Sequence, residues 1–295
     1  MKKYFRITLF FLFIFYLSND NIFSQVLDKD TTKQLVSLRR TEVHKLFSKS
    51  NNVLYPIYIS LPGDYNYTQK NYPVIFMLDA YSSFGIMTQM VRLLTFNKDL
   101  PELIIVGISS EGGSKEFNYN RMRDFTPTET QNEKERLMFP ISGGGNKFLN
   151  FIKDELIPFV KSNYRIDEND KTLVGHSLGG LFAFYFLFTE PNLFNRYLII
   201  SPALFWDNEY LLKLEDSFYE KNKTLNATVY TTVGSLEDSI FINPWQKLVD
   251  KIKLHNYNGL KLIAKISENE THYTIIPYIS THGLISVFKK WQIKL

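Results

Sequence analysis

The sequence predicts an α/β fold: a mostly parallel central sheet with helices on both faces and an antiparallel hairpin at its N-terminal edge. Three observations carry this. From residue 72 onward, short continuous apolar runs alternate with stretches of helical spacing, the rhythm of strand–helix–strand units in a buried parallel sheet. Before that, residues 41–61 hold two runs that alternate apolar and polar, as half-buried strands do. And at 171–181 an apolar strand ending in Leu173 and Val174 passes through Gly175-His176-Ser177-Leu178-Gly179 directly into the apolar run 181–188. A G-x-S-x-G between a strand and a helix is the context in which a sharp turn throws a serine into an exposed position, with glycines allowing strand and helix to approach.

In order, residues 25–40 are polar and weakly patterned, a linker or arm entering the fold. Residues 41–48 alternate as a strand. Residues 53–61 place Tyr55, Ile57, Ile59 and Leu61 on one face, and Pro62-Gly63-Asp64 ends them in a turn. Tyr72-Pro73-Val74-Ile75-Phe76-Met77-Leu78 is a buried strand that stops at Asp79, so its carboxyl end meets a site. Residues 83–96 have helical spacing and 101–109 form the next buried strand. Residues 110–146, rich in Gly, Ser, Asn and charge, read as a long inserted loop or lid, and a connection of that length is usually functional. Residues 147–164 give an amphipathic helix that Pro158 kinks or interrupts. After the Ser177 turn come strands at 197–201, 227–233 and 260–266, a helix at 245–257 and a closing helix at 275–290. The hairpin, the strands from 72 onward and the intervening helices make one domain, 41–295.

Composition bounds the rest. With 295 residues, 44% of them hydrophobic, the chain is long enough for a full core. A net charge of +4 is too weak to imply a nucleic-acid partner. The absence of cysteine excludes disulfides, thiolate metal sites and a cysteine nucleophile. The first six residues are basic (Lys2, Lys3, Arg6), and an apolar run of about eleven residues follows at 7–17, ahead of polar Ser18-Asn19-Asp20. A run that short falls well below a bilayer span, so 1–24 reads as a secretory signal peptide with export to the periplasm or medium, and with no stable membrane insertion after its removal; an uncleaved membrane anchor is the alternative.

A serine hydroxyl needs an adjacent base, and the base needs a third group to fix its tautomer. When such a serine sits on a strand–helix elbow, acid and histidine follow it in chain order on loops after later strands. His272 follows the last strand and opens the final helix, which makes it the candidate base. His282 lies inside that helix, His44 in the hairpin and His255 in a helix of mixed polarity as a surface residue. His176 sits beside the nucleophile with its side chain pointing elsewhere. Glu237 and Asp238 both follow the strand between nucleophile and base, and loop composition does not separate them. The oxyanion donors expected are the N–H groups of Leu178, after the nucleophile, and of Ala80, after the early strand, with Tyr81 as its neighbour. Arg121, Arg123 and Asp124 are candidates for binding substrate or bracing the inserted loop; Trp206 is a candidate pocket wall or core residue.

Six segments recur in order over nearly all of 50–295: Y-P-V-I-F-M-L-D-A at 72–80, R-M-R-D-F-T-P-T at 121–128, V-G-H-S-L-G-G at 174–180, S-P-A-L-F-W-D-N at 201–208, V-G-S-L-E-D at 233–238 and E-T-H-Y-T-I-I-P at 270–277. In these the chain resembles the esterase family of α/β-hydrolases that includes ferric-enterobactin esterases and S-formylglutathione hydrolases, and most resembles its siderophore-esterase-like branch. The resemblance implies the α/β-hydrolase fold, Ser177 as nucleophile, Glu237 as acid and His272 as base. Two positions depart from the family: Asp79-Ala80 stands where Asp-Gly is usual, and Phe205-Trp206 replaces a usual tryptophan pair.

The function expected is therefore a serine carboxylic-ester hydrolase working through an acyl-enzyme, without metal or organic cofactor. Its substrate is a small-molecule ester, either a siderophore trilactone or an acyl or feruloyl ester. An acyltransferase on the same fold and a non-catalytic binding protein are the alternatives; composition and motifs leave the oligomeric state open.

Overall fold

A computed structural model describes residues 37–288 of the chain. The expected signal peptide at 1–24, most of the arm at 25–40 and positions 289–290 of the helix expected at 275–290 lie outside the described residues. Among the described residues the strands and helices all belong to one compact unit that begins at Arg40.

Eight strands form one sheet in the order β1-β2-β4-β3-β5-β6-β7-β8. β1 (Thr41–Ser48) and β2 (Val53–Ser60) are the expected hairpin, antiparallel in register from Thr41 opposite Ser60 to Ser48 opposite Val53. β2 joins β4 (Ile104–Ile108) antiparallel. From there β4, β3 (Tyr72–Met77), β5 (Ile166–His176), β6 (Arg196–Ile200), β7 (Thr228–Gly234) and β8 (Lys261–Ser267) run parallel. Parallel direction brings the loops after β3, β5, β6, β7 and β8 to one edge of the sheet, where ligands bind in open α/β sheets.

The helices start with α1 (Ala80–Phe96), followed by α2 (Ser114–Asp124) and α3 (Glu133–Met138). The last two lie in the stretch expected to be loop. Neither has a clear apolar stripe: α2 reads S-K-E-F-N-Y-N-R-M-R-D and buries only Asp124, so periodicity could not reveal it. Side-chain bonds hold this insertion in place. Asp124 accepts from the Tyr55 hydroxyl at 2.8 Å, and Thr128 Oγ1 donates to Asp207 at 2.7 Å. The kinked helix expected at 147–164 is three pieces: α4 (Gly145–Asn150), a π-helical turn (Phe151–Leu156) and α5 (Ile157–Asn163), with Pro158 in the opening turn of α5. Proline cannot donate to the residue four back and its ring crowds that carbonyl, so it is accommodated where a new helix begins.

α6 (Leu178–Thr189) buries every residue from Leu178 to Phe188 and runs beside β5 and β6, the pattern of a helix enclosed on all sides. α7 (Trp206–Lys221) has no counterpart among the elements the sequence predicts; its first residues, Asp207, Asn208 and Glu209, are left-handed rather than helical. α8 (Ser239–His255) and α9 (Ile275–Val287) complete the helices. Among the described residues no helix is long and apolar enough to cross a membrane.

Where β5 hands over to α6, a Cβ on Gly175 would lie inside van der Waals contact with the backbone carbonyl of Gly179, and one on Gly180 would sit 2.9 Å from Pro202 Cα. Backbone stands on both sides of the contact at Gly175, so nothing can yield. Gly175→Ala is expected to destabilise the fold by about 3 kcal/mol, lowering Tm by about 6–12 °C for a domain of this size. A wild-type Tm in thermal unfolding would show that the turn closes without this approach.

Candidate active site

Ser177 sits between β5 and α6 at φ 57°, ψ −117°, a conformation a non-glycine residue adopts only when its surroundings impose it. They do: its N–H donates to the Ile200 carbonyl at 3.0 Å, and its carbonyl accepts from Leu181 and Ala203, each at 3.0 Å. Leu178 opens α6, so its N–H has no partner within the helix. The neighbouring β3 ends the same way. Asp79 is left-handed (φ 58°) and Ala80 opens α1. Because Met77 pairs with Val174 and the Leu78 N–H bonds the Val174 carbonyl at 2.9 Å, the two helices begin side by side. Both Leu178 and Ala80 are buried.

Arg121, from α2, ties these two turns together. Its Nε and Nη2 donate to the Asp79 carboxylate at 2.8 and 2.9 Å, and Nη2 lies 3.5 Å from the His176 carbonyl. It also lines the cavity in front of Ser177. Its guanidinium is thus committed to Asp79 while standing at the site. Arg123 instead forks onto its neighbour Asp124 at 2.8 and 2.9 Å, and that pair anchors the insertion to the hairpin through Tyr55.

The loops after β7 and β8 bring Glu237 and His272 together, Oε2 to Nδ1 at 2.7 Å, with the Glu237 side chain fully buried. Asp238 takes a different job, capping α8 by accepting the Ile240 N–H at 2.9 Å. The other oxygen of Glu237 accepts from the Gly234 N–H at 2.7 Å and the Ser201 hydroxyl at 2.5 Å. Burial pushes the Glu237 pKa up, but the bonds from His272, Ser201 and Gly234 outweigh it and hold the carboxyl below its ordinary value. An ionised carboxylate only accepts, so Nδ1 of His272 carries the hydrogen and Nε2 is left with its lone pair.

His176 does not point away as expected. Its Nε2 donates to the His272 carbonyl at 2.8 Å and its ring lies 4.5 Å from that of His272. Burial, reinforced by the neighbouring His272, lowers its pKa to about 3, so it stays neutral and acts as a strut beneath His272. Phe241, from α8, covers His272 from another side, its ring also 4.5 Å away. Neither contact has a local sequence signature, since both partners lie far from His272 along the chain.

Ser177, His176 and His272 open onto a cavity of about 350 Å³ whose walls are chiefly apolar, among them Met77, Ile86, Met87 and Ile276, with Arg121 as a charged group. Tyr81 is not among its lining residues; it is partly exposed and stacks on Phe117, which is, at 4.8 Å. Trp206 is fully buried, its Nε1 donating to Thr128 at 3.2 Å, and is a core residue rather than a pocket wall. His255 is not a surface residue: it is half-buried, bonded to Glu215 at 2.8 Å and stacked on Tyr219 at 3.7 Å. Among the described residues, Glu215, Asp216 and His255 have metal-ligand spacing, each offering an atom within 4.8 Å of the others. All three are already paired, His255 with Glu215 inside the group and Asp216 with Lys251 at 2.6 Å, and none lines the cavity in front of Ser177.

A mostly parallel eight-stranded sheet that presents a serine on a strained strand–helix elbow, faced by a carboxylate-bound imidazole, defines a serine hydrolase of the α/β-hydrolase class. The chain belongs to the Putative esterase family, whose model matches residues 48–269. It is a serine esterase. Ferri-bacillibactin esterase BesA of Bacillus subtilis is 32% identical over 265 residues, 86% of this chain and 91% of that protein. The crystal structure of the BES protein from Bacillus cereus superposes with a TM-score of 0.76 at 31% identity, covering 86% of this chain and 97% of that one. An IroE-like serine hydrolase from Shewanella oneidensis also gives 0.76, at 28% identity, covering 84% and 80%.

Proposed function

We propose that Ser177, His272 and Glu237 are the catalytic triad and that the natural substrate is a siderophore ester cleaved one ester bond at a time. The observation that carries the triad is the buried Glu237–His272 bond, made by loops at the same sheet edge as the Ser177 elbow and opening on the same cavity. His272 Nε2, unprotonated because Glu237 holds the Nδ1 hydrogen, takes the Ser177 proton as Oγ attacks the ester carbonyl. Leu178 and Ala80 N–H groups, at the starts of two adjacent helices, hold the oxyanion, and the helix dipoles add to that field. His272 then protonates the leaving alcohol. Water, deprotonated by the same nitrogen, releases the acyl group from Ser177.

The substrate class rests on the relatives, named as esterases of ferri-bacillibactin and of other siderophores, and on the cavity. At about 350 Å³ it falls at the small end for ligand pockets, room for one arm of a larger ester while the remainder stays outside. The basic and apolar N-terminal pattern at 1–24 supports export ahead of an esterase domain at 41–295. The test compares kcat/KM for a ferric catecholate trilactone with that for p-nitrophenyl acetate and butyrate. At least a hundredfold preference for the trilactone is expected; parity, or preference for the simple esters, would move the substrate to an acyl or feruloyl ester.

A further inference from the structure

We propose that Ser201 is a positioning residue for catalysis: its buried hydroxyl, held by a left-handed backbone, fixes the Glu237 carboxylate against His272. This role rests on Glu237 being the acid of the triad and adds a residue to that reading.

Ser201 is the first residue after β6. In the parallel register Ile200 pairs with Thr232, so the next residue comes level with the end of β7, where the chain turns into the Glu237 loop. Its N–H donates to the Thr232 carbonyl at 2.8 Å, which continues the ladder one step and pins the backbone. Its φ is +44°, a region that costs a serine free energy and a glycine none. The residue is completely buried. A position with this backbone and no solvent is one where glycine would be the stable choice, yet a serine stands there. The hydroxyl explains it: Oγ donates to Glu237 Oε1 at 2.5 Å, within the range of a charge-assisted O–H···O⁻ bond.

The consequence falls on the geometry of the base. Glu237 Oε1 takes two donors, Ser201 and the Gly234 N–H at 2.7 Å, leaving Oε2 for His272 alone. With one donor the carboxylate could swing about the Gly234 bond; with two it cannot. The titratable groups facing Glu237 are His272 directly and His176 behind it; Asp238 is turned outward onto the α8 N-terminus. Removing the Ser201 hydroxyl makes the carboxylate more basic, so the Glu237–His272 pair takes up its proton at higher pH.

Ser201→Gly separates this role from a structural one, because glycine keeps the left-handed backbone without strain while losing the hydroxyl with its Cβ, and Ser201→Ala loses the hydroxyl alone. Expected is a folded protein with Tm at or above wild type. Its kcat for p-nitrophenyl butyrate falls about ten- to hundredfold, the worth of one hydrogen bond to a charged group, with KM within about twofold, and the acid limb of kcat/KM moves to higher pH. Ser201→Ala should lose kcat similarly, with a lower Tm. Wild-type kcat and pH profile in folded Ser201→Gly would overturn the proposal, as would a loss confined to KM or the failure of both variants to fold. Ser177→Ala and Glu237→Gln run alongside: undiminished activity in those would overturn the triad itself, a result distinct from a silent Ser201.

Discussion

Ser177→Ala is expected to lower kcat on every ester by about 10⁴- to 10⁶-fold, the range found when the nucleophile of a serine triad is removed. Its fold should be unchanged. Alanine keeps the Cβ, so the strain at φ 57° is the same, and the backbone bonds to Ile200, Leu181 and Ala203 that impose the elbow do not involve the hydroxyl. Tm within about 2 °C of wild type, together with loss of labelling by a fluorophosphonate probe, would identify the lost group as the nucleophile. Comparable hydrolysis by both proteins would mean that the acyl group is carried elsewhere. The proposed oxyanion donors are backbone groups untouched by the substitution, so a residual rate above the uncatalysed one is expected to survive.

Glu237→Gln should cost about 10⁴-fold in kcat while leaving the fold intact, through the tautomer rather than through lost contact. A glutamine amide has one accepting and one donating end. The Gly234 N–H, 2.7 Å from Oε1, can only donate, so the amide oxygen is drawn to that side and the NH₂ faces His272. Nδ1 must then accept, which puts the ring hydrogen on Nε2, and a protonated Nε2 cannot take the Ser177 proton. The check is kcat/KM at neutral pH alongside thermal unfolding. A loss under tenfold in a folded protein would exclude Glu237 as the group that sets the tautomer. Asp238→Asn is the contrast: its carboxylate caps α8 at 2.9 Å from the Ile240 N–H, and an asparagine serves that purpose nearly as well.

Much of this arrangement is legible along the chain because it depends on local covalent order. The hairpin of 41–48 and 53–60 is legible from its alternation and turn, although Val43 and Phe47 of β1 face outward and β2, paired on both sides, is buried on both faces. Parallel strands joined through helices put every strand-to-helix loop on one edge, so a serine after β5, a carboxylate after β7 and a histidine after β8 have to meet there. What pattern could not supply were elements and contacts whose stabilising partners lie far away in sequence. α2 and α3 have no apolar stripe and are held by side-chain bonds to Tyr55 and Asp207. The choice of Glu237 over Asp238 depends on which of two adjacent side chains turns inward, and neighbouring residues of the same chemistry carry no signal of that.

By itself, then, the sequence determined the sheet with its edge hairpin, the Ser177 elbow and the order in which a carboxylate and a histidine come after it, because these depend on periodicity, glycine sterics and connectivity. Only the tertiary structure decided that Asp238 caps a helix, that His176 braces His272, that Arg121 is spent on Asp79, that Trp206 is core and that Ser201 reaches Glu237. Each of those depends on which way a side chain turns, which is settled by packing in three dimensions and not by spacing along the chain.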